Sequence, residues 1–229
     1  MKVLIIFRQS IIFVCFDILL CLELNQDVIT DTVMALPWLR IPRPIALVQT
    51  RSFLGWFDTA FNKYDKARVT EVGPNRAAAE WLLRCGAGVK WQNSVRVLKD
   101  YNSLPVGNYR TLKIEEIEGT DSAVMEEGFL YLKELEELKK VRMVNNKYLN
   151  DECIYYLVAF TKKRLTGLHL AGNGNVTGEG LLQLGKMQVL EELHLENLHE
   201  VKNPEKVLEE LATLLPNCNI SWPPFSDVE

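Results

Sequence analysis

Leu138-Lys-Lys-Val-Arg-Met143, Leu165-Thr-Gly-Leu-His-Leu170 and Leu190-Glu-Glu-Leu-His-Leu195 place apolar side chains at the same three offsets, 0, 3 and 5. The last two offsets differ by two, the period of a strand with one buried face. The template extends outward to Tyr109/Leu112/Ile114 on one side and Leu215/Cys218/Ile220 on the other, so the five starts are spaced 29, 27, 25 and 25 residues apart. A single Leu-x-x-Leu-x-Leu is common, but five at nearly one interval are not chance. Between successive strands the text reads as helix: Ala123–Leu132, Asp151–Phe160, Gly178–Leu184 and Pro204–Leu214.

That interval belongs to the leucine-rich repeat, roughly 20 to 29 residues per unit, whose strand is followed by an asparagine-type position. Asn146 and Asn173 fill it here, whereas Ile117 and Leu198 depart from it. The expected fold class is therefore α/β: a leucine-rich-repeat solenoid of short parallel strands and convex helices over residues 108–222, preceded by a small helical capping segment over 53–107 and followed by a tail, 223–229. The residue between the last two template positions points away from the core. Those residues form one column, Lys113, Arg142, His169, His194 and Asn219. Two readings stand side by side: a cationic, pH-sensitive strip for an acidic partner, or an ordinary solvated strand face neutralised by Glu115, Glu192 and Glu196.

Upstream, Val72-Gly-Pro-Asn-Arg-Ala-Ala-Ala-Glu-Trp-Leu-Leu-Arg-Cys-Gly86 predicts a helix over 74–85, with proline in its first turn and glycine just past its end. Ala78, Trp81, Leu82 and Cys85 share its apolar stripe, and Arg76 and Glu80, four apart, are expected to pair on the solvent side. Val89–Trp91 and Val95–Leu98 read as short strands, and this unit is expected to cover the open edge of the first repeat.

Residues 34–52 include Arg40, Arg43 and Arg51, no acid and many bulky apolar side chains, the composition of a mitochondrial presequence. Residues 1–33 read as a start-site artefact or an extension: Arg8 and Asp17 break the apolar run, and no spanning helix is expected. A formal charge of −4 at pH 7 gives no drive toward nucleic acid. The five cysteines lack a C-x-x-C pair, and the three histidines, all in the C-terminal third, sit in no recognisable Ser/His/Asp or Cys/His grouping, so an enzyme is not expected. His169 and His194 on adjacent rungs suggest a metal, yet no third ligand is identifiable from sequence.

Trp56–Phe61, Gly73-Pro-Asn-Arg-Ala-Ala-Ala-Glu-Trp-Leu-Leu-Arg-Cys-Gly-Ala87, Lys99-Asp-Tyr-Asn-Ser-Leu-Pro105 and Gly119-Thr-Asp121 together resemble the mitochondrial ATP synthase subunit s family, also called coupling factor B, over about residues 51 to 220. They resemble it more than its distal membrane arm assembly component 2-like relatives. The resemblance implies a non-catalytic protein, peripheral on the matrix side of the mitochondrial inner membrane, that binds ATP synthase subunits and limits proton leak. It also implies a Mg²⁺ ion held by main-chain oxygens, which carry over to Gly86 and Thr120, with Asp121 in reach of the ion's waters. Where the family leads one to expect a Cys-x-Cys dithiol, this chain has Val144-Asn145-Asn146, so a thiol activity does not carry over. Two other roles use the same architecture: an assembly factor for the membrane arm of respiratory complex I, with complex I assembly factors as partners, and a substrate receptor of a ubiquitin ligase. Leu104-Pro105 follows the helix instead of preceding it, which argues against the receptor.

Overall fold

A computed structural model describes residues 55–107 and 111–223. The presequence-like segment, the N-terminal extension, most of the tail and Tyr109 lie outside the described residues.

Chain order explains the architecture. Residues 55–62 are helical, α1 spans Lys66–Val72 and α2 spans Pro74–Arg84. They lead into strands β1 (Gly88–Trp91) and β2 (Val97–Leu98). Then strands β3 (Ile114–Thr120), β4 (Lys140–Val144), β5 (Gly167–Ala171), β6 (Glu192–Glu196) and β7 (Asn219–Ser221) alternate with helical connections, including α3 (Asp151–Thr161), α4 (Gly178–Leu182) and α5 (Pro204–Leu214). The sheet order is β2-β1-β3-β4-β5-β6-β7, parallel from β3 onward and antiparallel at the β2-β1-β3 edge. The lead-in strands thus occupy the edge that the first unit would leave open.

Connector length decides what kind of helix forms. The stretches 145–166 and 197–218 are the longer ones and each carries an eleven-residue α-helix. The shorter stretches, 121–139 and 172–191, must travel the same depth with fewer residues, and they use 3₁₀ winding, about 2.0 Å of rise per residue against 1.5 Å. Glu126–Glu134 is accordingly 3₁₀, not the α-helix predicted over Ala123–Leu132. α4 stops at Leu182 and continues as a 3₁₀ turn, Gln183–Lys186.

Strand register corrects the repeat alignment at both ends. Ile117, Val141, Leu168, Leu193 and Ile220 are Cα partners in one row. The first unit is therefore Ile114/Ile117/Gly119, five residues later than the Tyr109 template, and Ile220 stands where Cys218 was expected. Buried Asn146 and Asn173 hold the turns after β4 and β5. Asn173 Oδ1 accepts from the Asn146 amide at 2.9 Å, and its Nδ2 donates to the Met143 carbonyl at 2.9 Å. Asn146 repeats the pattern one unit back, accepting from the Ser122 amide at 3.1 Å and donating to Gly119 O at 2.7 Å. Ser122, not Ile117, is thus the equivalent position in the first unit. At Leu198 the side-chain ladder ends in an apolar, buried residue.

The core runs continuously from α2 to α5. Trp81 stacks on Tyr131 at 5.6 Å and meets Phe129 edge-on at 6.0 Å, while its indole N–H donates to Asn62 Oδ1 at 3.0 Å. Asn62 also accepts from the Met125 amide and donates to the Ala123 carbonyl, so this buried amide ties the first helical turns to the start of the first connection. Arg76 and Glu80 pair as expected, at 2.8 Å, but not on the solvent side: Glu80 is only 2% exposed, and Arg68 clamps it from the other side. α1 folds back across α2, and that crossing covers the carboxylate.

Candidate binding face

Strand alternation sends Ile117, Val141, Leu168 and Leu193 inward and leaves three rows of side chains on the other sheet face. The first is Lys90–Glu116–Lys140–Gly167–Glu192–Asn219. The second is Glu118–Arg142–His169–His194–Ser221, and the third Thr120–Val144–Ala171–Glu196. The first row from Glu116 onward and the second row line a groove of about 390 Å³.

The predicted strip keeps its centre and changes at its ends. Arg142, His169 and His194 are neighbours in one row. Lys113 is not among them, because the true register sets Glu118 beside Arg142; Lys113 lies before β3 and pairs with Glu136 at 3.0 Å. Asn219 belongs to the first row, opposite Glu192, and Ser221 takes its place. The strip is consequently of mixed charge. Arg142 Nη1 donates to Glu118 at 2.9 Å and to Thr120 Oγ1 at 3.0 Å, and its Nε donates to His169 Nδ1 at 3.3 Å. Lys90 meets Glu116 at 2.7 Å, and Lys140 reaches across Gly167 to Glu192 at 3.3 Å, its stem lying where a Cβ at Gly167 would press.

His169 and His194 meet edge to face with ring centroids 4.3 Å apart, and His194 Nε2 lies 3.4 Å from Glu196 Oε2. Burial first, then the neighbouring His194 and Arg142, hold the His169 pKa below its ordinary value, so the ring is neutral at pH 7. The Arg142 contact uses Nδ1 as acceptor and assigns that ring's proton to Nε2, which is buried without a hydrogen-bond partner among the described residues. Glu196 is the third potential ligand that sequence reasoning did not find. Its signal was there: it follows His194 by two, the strand period, and so shares its face.

No family model matches the chain. A bovine protein named ATP synthase subunit s, mitochondrial, is 37% identical over 187 residues, which cover 81% of this chain and 90% of the relative. Human and rat proteins of the same name are 36% and 38% identical, over 82% and 75% of this chain. The chain belongs to the ATP synthase subunit s family.

Gly86 and Thr120, the residues at which the family resemblance implies a Mg²⁺ ion, come from separate elements. Gly86 ends α2 in the left-handed region, φ 81°, with Ala87 N donating to Leu82 O at 2.9 Å, a helix stop that glycine makes at little steric cost. Thr120 is the last residue of β3. β1 and β3 pair antiparallel with Gly88 opposite Glu118, each two residues from Gly86 and Thr120 respectively. The Ala123 amide donates to Cys85 O at 2.8 Å, holding the loop after Thr120 against the helix end. Cys85 itself is buried, and burial pushes its thiol to about 12; Cys153 is alike. These are core sulfurs, not reactive thiols. Among the described residues no helix is long and apolar enough to cross a membrane.

Proposed function

We propose that this subunit s family member is a non-catalytic mitochondrial protein that associates with ATP synthase, peripherally on the matrix side of the inner membrane, and regulates proton conduction by binding. The observation that carries this reading is likeness along nearly the whole length of relatives bearing that name, 90% of the bovine one. The architecture supports a leucine-rich-repeat solenoid: within the expected capping segment 53–107 the described residues cover the edge, within 108–222 strands and helical connections recur with asparagine turns after β4 and β5, and the outward rows supply the contact face. A solenoid of this kind works by presenting side chains at fixed spacing.

Mg²⁺ belongs to the same reading. Gly86 and Thr120 offer main-chain carbonyls, hard oxygen donors of the kind Mg²⁺ takes while keeping several waters, and the adjacent Asp121 supplies a carboxylate for those waters. Bound there, the ion would pin the helix end to the strand end. Titrating Mn²⁺ in place of Mg²⁺ and reading paramagnetic broadening of the Gly86 and Thr120 amides tests this; no selective broadening would sink it.

Affinity capture of a C-terminally tagged copy from its own cells, beside mitochondrial fractionation, tests the function. Recovery of ATP synthase subunits from the mitochondrial fraction is expected. Recovery of complex I assembly intermediates instead, or of cullin components from cytosol, would overturn the reading.

A further inference from the structure

We propose that His169, His194 and Glu196 form a binding site for a late first-row divalent cation, Zn²⁺ by preference, on the exposed sheet face. One ligand atom from each of the three lies within 4.8 Å of the other two. They are held there by backbone regularity. His169 and His194 are directly paired across adjacent parallel strands, and Glu196 is the next outward residue after His194 on the same strand.

Ligand chemistry selects the metal. Two imidazoles and one carboxylate suit Zn²⁺ and its neighbours, whereas Mg²⁺ and Ca²⁺ take mainly oxygen. Tetrahedral Zn²⁺ with bonds of about 2.0–2.1 Å sets ligand atoms about 3.3–3.4 Å apart. The His194–Glu196 edge is already 3.4 Å. Rotation of the His169 ring would close the remaining distances, and that ring has reason to move because its Nε2 is buried and has no hydrogen-bond partner among the described residues. Coordination through Nε2 transfers the ring proton to Nδ1 with no net proton released. Arg142 Nε gives up its contact with Nδ1, but its Nη1 keeps Glu118 and Thr120. Three protein ligands leave a fourth position open toward the groove, for water or for a partner's side chain. The site is distinct from the carbonyl pair Gly86/Thr120 in both position and donor type.

The guanidinium of Arg142 opposes any cation beside it, and this gives the test a direction that mere loss of folding cannot imitate. The full chain is titrated calorimetrically with Zn²⁺, and imidazole resonances are followed by NMR. One ion per chain is expected, with the signals of His169 and His194 shifting and that of His199 unmoved. His194→Gln and Glu196→Gln should each weaken binding by about 10-fold or more, a first-contact loss at least as large as that of an outer-shell partner. Arg142→Gln should tighten it, and Cys218→Ser should leave it unchanged. All three ligands are partly exposed, so these variants are expected to fold, as unchanged thermal melting would verify. No 1:1 binding by the wild type, or binding indifferent to both His194→Gln and Glu196→Gln, overturns the site. Should those variants misfold, the wild-type NMR alone decides: shifts confined to other residues refute it.

Discussion

Asn173→Ala removes one side chain and strands a buried backbone donor. In the wild type Asn173 Oδ1 satisfies the Asn146 amide and Nδ2 adds a hydrogen bond to the Met143 carbonyl, both at 2.9 Å. The Val144–Ala171 bridge of the β4–β5 ladder already gives that carbonyl one partner, so the amide is the group left without any. A buried donor without a partner costs about 1–3 kcal/mol. With a melting shift of about 2–4 °C per kcal/mol for a domain of this size, the transition should fall by about 2–12 °C. Scanning calorimetry with parallel urea unfolding by far-ultraviolet circular dichroism measures it, and the two should agree if the fall is thermodynamic. A loss under about 1 kcal/mol would refute the reasoning, because it would mean that the turns after β4 and β5 hold without their amide ladder.

Glu80→Gln leaves Arg68 and Arg76 facing a neutral amide, and removing one partner of a buried ion pair costs about 3–5 kcal/mol; Arg68 retains Glu71, which favours the low end. Burial pushes the Glu80 carboxyl up, but hydrogen bonds and charge from Arg68 and Arg76 outweigh it and hold its folded pKa below the ordinary value. Its stabilisation is therefore present above the unfolded value of about 4.3 and lost as pH falls through the lower folded one. The stability gap between wild type and Glu80→Gln, from urea titrations, should narrow on acidification below about pH 4; a gap constant with pH would count against the clamp. Gly128→Ala puts a Cβ into the Trp81 indole, since that glycine lies directly against the ring; overpacking there should cost about 1–3 kcal/mol and alter the near-ultraviolet tryptophan signal, and an unchanged spectrum with full stability would contradict the packing. Iodoacetamide on the native protein should label Cys218 well before Cys85 or Cys153, because the latter two are buried with thiols near 12. Peptide mapping that finds Cys85 labelled as fast would sink that ordering.

The units built on β4 and β5 were legible in the sequence because each combined three signals that agree: a strand with the 0, 3, 5 apolar spacing, an asparagine three residues later and a helix with a side-chain cap, as where Asn150 caps α3 by accepting from the Cys153 amide. The end units offered only the apolar spacing, and apolar spacing is degenerate. Around β3, Tyr109, Leu112, Ile114 and Ile117 fit two phases of the same template. The phase is fixed by Ser122, which takes the asparagine's place in the turn, and serine is too common after a strand to stand out. That single slip of five residues replaced Glu118 by Lys113 and turned a mixed-charge row into an apparently cationic one. The burial of Glu80 was illegible for another reason: Arg76 is its neighbour in sequence, but the cover comes from α1 folding over α2, a tertiary event that helical spacing cannot announce.

The corrected charge pattern changes what kind of partner the face suits. Glu116, Glu118 and Glu192 stand between Lys90, Arg142 and Lys140, each opposite charge within 3.3 Å. Alternating charges this close cancel beyond a Debye length of about 8 Å, so the face casts little field into solution and does not steer a strongly acidic protein from a distance. A docking surface must instead work by contact. It has to supply acceptors for Arg142 and Lys140 and donors for the glutamates, in register with strands about 4.8 Å apart, because every ion pair it disrupts without replacement costs part of the binding energy. Rows repeated at fixed spacing on a sheet that a continuous core keeps rigid meet that requirement, and they select for geometry over net charge. The histidine pair is the exception within the network. His169 is neutral at pH 7, its Nε2 has no partner among the described residues, and it lies beside His194 and Glu196, so it is the place on this face where a bound group gains contacts without first breaking an ion pair.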